Sequence, residues 1–146
     1  MSMFCYQCQE TAGGAGCKVK GVCGKTDTVS NLQDLLLFVV KGIAYWVVKA
    51  RASGVKLDSH TAQFIKTAIF STITNANFDE AAIIAYIKEA LQVRDAWRCK
   101  ALDRCGGRCG CGAPELPECA NWAAGTDDKI RMKAAYVGVL TTENED

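Results

Sequence analysis

Residues 5–23 have the sequence CYQCQETAGGAGCKVKGVC, which holds four of the nine cysteines of this 146-residue chain. Their spacing is C-x2-C-x8-C-x5-C, and they are Cys5, Cys8, Cys17 and Cys23. The interleaved glycines allow the backbone to turn tightly around a bulky inorganic group and to direct amides at its sulfurs. Four thiolates without a histidine suit either zinc or an iron–sulfur cluster. Zinc sites usually contain two compact cysteine pairs, whereas only the first pair is compact here, so the spacing favours a [4Fe–4S] cluster over zinc.

The overall composition is that of one soluble domain. The net charge is +1 and 49% of the residues are apolar, so no strong field attracts the chain to nucleic acid or to a membrane. The longest apolar stretch, residues 35–48, is interrupted by Lys41 and is too short to span a bilayer. An odd, clustered set of cysteines and no apparent signal peptide predict a reducing, cytoplasmic location.

Three amphipathic helices are predicted in the first hundred residues. A capping-box pattern, Ser30 with Gln33, predicts the start of the first helix, and Gly54 predicts its end. The apolar residues of this helix recur at three- and four-residue steps: Leu32, Leu35, Leu36, Val39, Ile43, Trp46, Val47 and Ala50. Gly42 lies within that helix and is best explained by a close approach of a neighbouring helix.

The second and third helices follow after short polar turns. The second is predicted over residues 59–72, with an apolar face of Phe64, Ile65, Ala68, Ile69 and Ile73. His60, the only histidine, is expected to be a solvated residue of its first turn. A capping box of Asn77 and Glu80 opens the third helix, and Arg94 and Arg98 are expected near its end. Its apolar face comprises Ala82, Ile83, Tyr86, Ile87, Ala90, Leu91 and Trp97.

These patterns predict an all-α fold built as a three-helix up-down-up bundle. Residues 1–29 form the cysteine loop, residues 30–98 the bundle and residues 99–125 an irregular Cys/Gly-rich segment. Residues 126–146 contain one short helix and then a capping-box pattern, Thr142 to Glu145, with no apolar run behind it. That start signal predicts that the polypeptide continues beyond Asp146.

Five further cysteines lie in the glycine-rich segment: Cys99, Cys105, Cys109, Cys111 and Cys119. Three interpretations remain open for them. They form a second metal site, they are reduced thiols, or they pair as redox-responsive disulfides.

At the N-terminus, residues 3–12 (MFCYQCQETA), 16–17 (GC) and 20–25 (KGVCGK) resemble the hybrid cluster protein family, also called prismane proteins or hydroxylamine reductases. The resemblance continues through residues 31–36, 72–79, 117–122 and 139–146, and leaves out residues 98–116. In that family the four N-terminal cysteines hold a cubane, which implies a [4Fe–4S] cluster on Cys5, Cys8, Cys17 and Cys23. The tail cysteines match no motif of the family.

The resemblance implies the electron-transfer portion of a hydroxylamine-reductase-like oxidoreductase. The family's second, catalytic cluster is bound in later domains, and none of its ligands matches a residue of this chain, so no catalytic residue is predicted. The alternatives are a stand-alone iron–sulfur binding or redox-sensing protein and a structural zinc module. The predicted partners are an electron donor protein, and either a second copy of the chain or the remaining hybrid-cluster domains, which would cover the apolar outer face of the first helix. The alternative is that residues 120–140 fold back and cover this face within one chain.

Overall fold

The computed structural model of the protein describes residues 3–104 and 116–138. These residues form a 3₁₀ turn, Ala12–Gly14, and the helices α1 (Asp27–Ala52), α2 (Ser59–Ile73), α3 (Glu80–Arg104), α4 (Glu118–Asn121) and α5 (Asp127–Ala134). Within them the only extended pairing is a single antiparallel bridge between Cys5 and Cys17. The all-α prediction is therefore confirmed.

Helix α1 is the centre of the fold. Every residue of its predicted apolar stripe is buried, and each is at most 6% exposed. It begins at Asp27 rather than at Ser30, because the Thr26 hydroxyl accepts the Val29 amide and caps the helix one turn earlier than predicted. It ends as predicted, since Gly54 has a φ of 85° directly after the C-cap residue.

Side-chain contacts fix the directions of the three long helices. Toward their N-terminal halves, Gln33 of α1 and Tyr86 of α3 line one cavity. Toward the C-terminal end, the Arg98 guanidinium of α3 lies 6.0 Å from the ring centroid of Trp46 on α1. Helices α1 and α3 therefore run parallel. Helix α2, which lies between them in the sequence, runs in the opposite direction, because Trp97 Nε1 near the C-terminal end of α3 donates to Thr61 Oγ1 near the start of α2. This is the predicted up-down-up order.

The buried face of α2 differs from the prediction. Phe64 and Ala68 are buried as expected, but Ile69 and Ile73 are 42% and 47% exposed. Two threonines of α2, Thr61 and Thr72, are buried instead because each finds a hydrogen-bond partner inside the fold. The hydrogen bonds of these threonines offset the desolvation of their hydroxyls, so the helix is rotated relative to its apolar stripe.

Helix α3 extends to Arg104, beyond the boundary expected at residue 98, so Cys99 lies on this helix and not in the irregular segment. Arg94 does not lie near the helix end, as its position in the sequence predicts, but within α3, where it is 1% exposed. Its guanidinium donates to the carbonyl oxygens of Cys119 and Trp122 and pairs with Asp95 at 2.7 Å. Arg94 thereby anchors the α4 segment, because a helix of four residues leaves most of its carbonyl oxygens without an intrahelical partner.

Helix α4 lies within residues 99–125, which the sequence predicted to be irregular, and α4 and α5 both pack against α1. The Phe38 ring of α1 lies 6.4 Å from that of Trp122, and Lys133 of α5 lies 5.2 Å above Phe38. The close approach predicted at Gly42 is made by α4, because a Cβ at Gly42 would overlap the Cys119 carbonyl. The tail therefore covers part of this α1 face, as the fold-back alternative predicts. The homodimer stays a prediction.

In the part of the chain that the structure describes, no helix combines the length and the apolar character needed to cross a membrane.

The cysteine loop as candidate cofactor site

The loop begins with a backbone pairing that brings Cys5 and Cys17 side by side. The Cys5 amide donates to the Cys17 carbonyl at 3.0 Å, and the Cys17 amide donates back to Cys5 at 2.9 Å. Directly opposite residues of an antiparallel pair have Cβ atoms roughly 5 Å apart on the same face. The bridge therefore directs the two thiols to one side of the loop.

Tight turns on either side of this bridge depend on glycine. Gly16, with a φ of 99°, directly precedes Cys17, and a Cβ there would overlap the Phe4 ring. A Cβ at Gly21 would lie 3.0 Å from both the Cys23 sulfur and the Lys25 Cβ atom. Only glycine fits these two positions without moving a neighbour, so the loop can wrap closely.

Three hydrogen-bonding groups surround the Cys17 sulfur. The Ala12 amide lies 3.4 Å from Sγ and the Thr11 hydroxyl 3.7 Å from it. Together with a hydrogen bond from the Val22 amide, these contacts lower the pKa of the Cys17 thiol, with the Ala12 amide the largest cause. The arrangement stabilises a thiolate, which is the form that binds metals. Because Val22 directly precedes Cys23, the hydrogen bond from the Val22 amide also holds the returning segment of the loop against Cys17.

Lys25 approaches the site from the other side and is 1% exposed. Its Nζ atom lies 3.8 Å from Cys5 Sγ, 3.3 Å from Gln7 Oε1 and 3.4 Å from the Thr72 carbonyl oxygen. Gln7 in turn donates from Nε2 to Thr72 Oγ1 at 3.4 Å. These contacts fasten the loop to the C-terminal end of α2.

Sequence reasoning missed Lys25, Gln7 and Thr72 as residues of the site. Gln7 lies between the predicted ligands Cys5 and Cys8, and Lys25 lies two residues after Cys23. This closeness in sequence to predicted ligands was the only local signal for either residue. Thr72 is 47 residues from Lys25, and no sequence pattern relates the two.

All cysteines of the described residues are free thiols, with Cys5 and Cys8 half-buried, Cys17 buried and Cys23 exposed. Across residues 3–104 and 116–138, no three His, Cys, Asp or Glu side chains are grouped so that they could hold a metal ion. The structure thus pairs Cys5 with Cys17 and does not draw Cys8 and Cys23 into an ion-sized cage with them. Four free thiols, with amide and ammonium donors at two of the sulfurs, have the chemistry that an iron–sulfur cluster requires of its ligands.

Of the five tail cysteines, Cys105, Cys109 and Cys111 lie outside the described residues. Cys99 is exposed on α3, and Cys119 is half-buried on α4, where burial raises the pKa of its thiol. The second metal site therefore stays a prediction. His60 is exposed in the first turn of α2, as expected.

Comparison with known proteins identifies the family of the chain. The chain matches the Prismane/CO dehydrogenase family over residues 3–145. It is 48% identical over 146 residues to a hydroxylamine reductase of Desulfitobacterium hafniense strain DSM 10664 / DCB-2. It is 48% identical over 147 residues to one of Clostridium novyi strain NT, and 45% identical over 165 residues to one of Clostridium botulinum strain Langeland.

Each of these alignments covers 100% of the chain but only 26% to 29% of the relative. The chain therefore spans about a quarter of the length of the hydroxylamine reductases that it matches. The family match, by contrast, extends over almost every residue and includes the whole cysteine loop. On this basis the chain belongs to the Prismane/CO dehydrogenase family.

Proposed function

We propose that this chain is the electron-transfer portion of an oxidoreductase that reduces hydroxylamine, and that it holds a [4Fe–4S] cluster on Cys5, Cys8, Cys17 and Cys23. When bound, such a cluster accepts and releases single electrons, and its four thiolate ligands leave no open coordination position. The proposal of hydroxylamine as substrate rests on the name of the relatives. The proposal of a cluster rests on the four cysteines of the loop and the donors around them.

The observation that carries the proposal is the set of donors aimed at paired sulfurs. Cys5 and Cys17 are joined by two backbone hydrogen bonds, and an ammonium or an amide points at each sulfur. Hydrogen bonds and positive charge favour thiolate over thiol, and they also stabilise the excess negative charge of a reduced cluster. A loop whose only task was to turn the chain would not require this convergence of donors on sulfur.

The test is the iron and sulfide content of anaerobically purified protein, with its absorption spectrum and the paramagnetic resonance of the reduced form. We expect about four irons and four sulfides per chain. Cys17→Ala should lose most of this iron and lower the stability of the loop, because ligand loss is also a loss of folding energy. Cys99→Ala removes an exposed cysteine outside the loop and should keep the full iron content.

Two results would overturn the assignment. One is zinc in place of iron in the purified protein. The other is a Cys17→Ala protein with the full iron content and an unchanged reduced spectrum. The electron donor protein predicted from the sequence stays a prediction.

A further inference from the structure

Lys25 carries a positive charge into the interior with no carboxylate in ion-pair contact among the described residues, and Asp34 attracts it from a greater distance. Its side chain is 1% exposed, and none of the ion pairs among the described residues involves it. A buried ammonium is costly unless hydrogen bonds or negative charge compensate for its lost hydration. The groups within reach of Lys25 show what that compensation is.

One compensating group is the C-terminal end of α2. Thr72 lies in the last turn of that helix, where carbonyl oxygens lack intrahelical partners and the helix dipole is negative. Lys25 Nζ donates to the Thr72 carbonyl, and Gln7 holds both Lys25 and the Thr72 hydroxyl. The ammonium therefore acts as a cap that α2 itself does not supply.

The other compensating group is the sulfur of Cys5, 3.8 Å from Nζ. A neutral thiol stabilises a buried ammonium only weakly, whereas a thiolate, or a cluster bound through it, stabilises the ammonium with a full negative charge. The geometry places one cation between a candidate ligand sulfur and the negative end of a helix.

We propose that Lys25 is a positioning residue that fixes Cys5 against the end of α2, and that its charge raises the reduction potential of the cluster. The second half rests on the proposed function. Reduction adds one negative charge to the cluster, and a nearby buried cation stabilises the reduced form more than the oxidised form. Removal of the charge should therefore make the cluster harder to reduce.

The test compares Lys25→Met, which removes the charge but keeps most of the side-chain volume, with Lys25→Arg, which keeps charge and donors. Lys20→Met is the matched control, because Lys20 is an exposed lysine of the same loop. Anaerobic redox titration measures the potential of each loaded protein, and iron counts measure loading. Amide hydrogen exchange reports on the last turn of α2 whether or not iron is bound.

We expect Lys25→Met to shift the potential to a more negative value, with Lys25→Arg and Lys20→Met close to the wild type. In Lys25→Met, amides of residues 71–74 should exchange roughly tenfold faster because the helix end loses its charged hydrogen bond. Loss of the cluster from Lys25→Met but not from Lys25→Arg would also support positioning.

A Lys25→Met protein with the wild-type potential and unchanged exchange would overturn the proposal. If the wild-type protein binds no iron, the proposed function fails, and the exchange experiment alone then decides whether Lys25 caps α2. Unchanged exchange would then refute the remaining half, and faster exchange would support it.

Discussion

Replacing Gly42 with alanine should destabilise the protein, although alanine is the better helix former. Gly42 lies in the interior of α1, under the backbone of α4. A Cβ at this position would overlap the Cys119 carbonyl and lie 3.0 Å from Arg94 Cδ. The neighbour that must move is backbone, so the contact cannot be relieved by a side-chain rotation.

The magnitude follows from two opposing effects. In a helix interior, alanine is favoured over glycine by about 1 kcal/mol. Against this, forcing an extra carbon into a packed contact costs roughly 1–3 kcal/mol. Displacing α4 also weakens the buried 2.9 Å bond from Trp46 Nε1 to the Ala120 carbonyl and the Arg94 bonds to the same segment, at a further ~1–2 kcal/mol. We expect a net loss of about 2–3 kcal/mol.

Urea unfolding of the anaerobic protein, followed by circular dichroism, measures the free energy of unfolding. The melting temperature should fall by roughly 6–10 °C. The control is Ala44→Gly, at an exposed position of the same helix, which isolates the propensity effect and should cost about 1 kcal/mol. A Gly42→Ala protein as stable as the wild type, or more stable, would refute the close approach of α4 to α1.

Two further predictions concern capping and pH. Thr26→Ala removes the hydroxyl that accepts the Val29 amide at 3.2 Å and should lower the free energy of unfolding, measured in urea, by about 1 kcal/mol. Thr26→Ser keeps a hydroxyl at this position and should retain most of the wild-type stability. Burial raises the pKa of Asp34 from 3.8 to about 6, and attraction to Lys25 offsets only part of that rise. Because the folded pKa exceeds the unfolded one, protonated Asp34 favours folding below about pH 4, and that stability is lost as the pH rises through 6. Asp34→Asn should therefore leave stability unchanged at pH 4 and raise it by on the order of 2 kcal/mol at pH 8; equal effects at both values would contradict the assignment.

The candidate ligands could be named from the sequence because ligand spacing is a local property. The four loop cysteines lie within 19 residues of one another, and their number and order define the donor set before any folding is considered. What spacing did not predict is the unequal placement of these thiols, with Cys17 buried among donors and Cys23 exposed. Burial depends on which residues pack over the loop, and those residues come from elsewhere in the chain.

By itself, the sequence determined the all-α class, the apolar stripe of α1, the stop at Gly54 and the membership in the family. The helical features depend on residues a few positions apart, and the family membership depends on short sequence motifs that can be recognised without a structure. Only the tertiary structure decided which face of α2 is buried, that Arg94 anchors α4, and that Lys25 joins Cys5 to Thr72. These outcomes depend on hydrogen bonds between distant segments. Burial of Arg94 and Thr72 depends on hydrogen-bond partners from distant segments, and where those partners lie is a property of the folded chain.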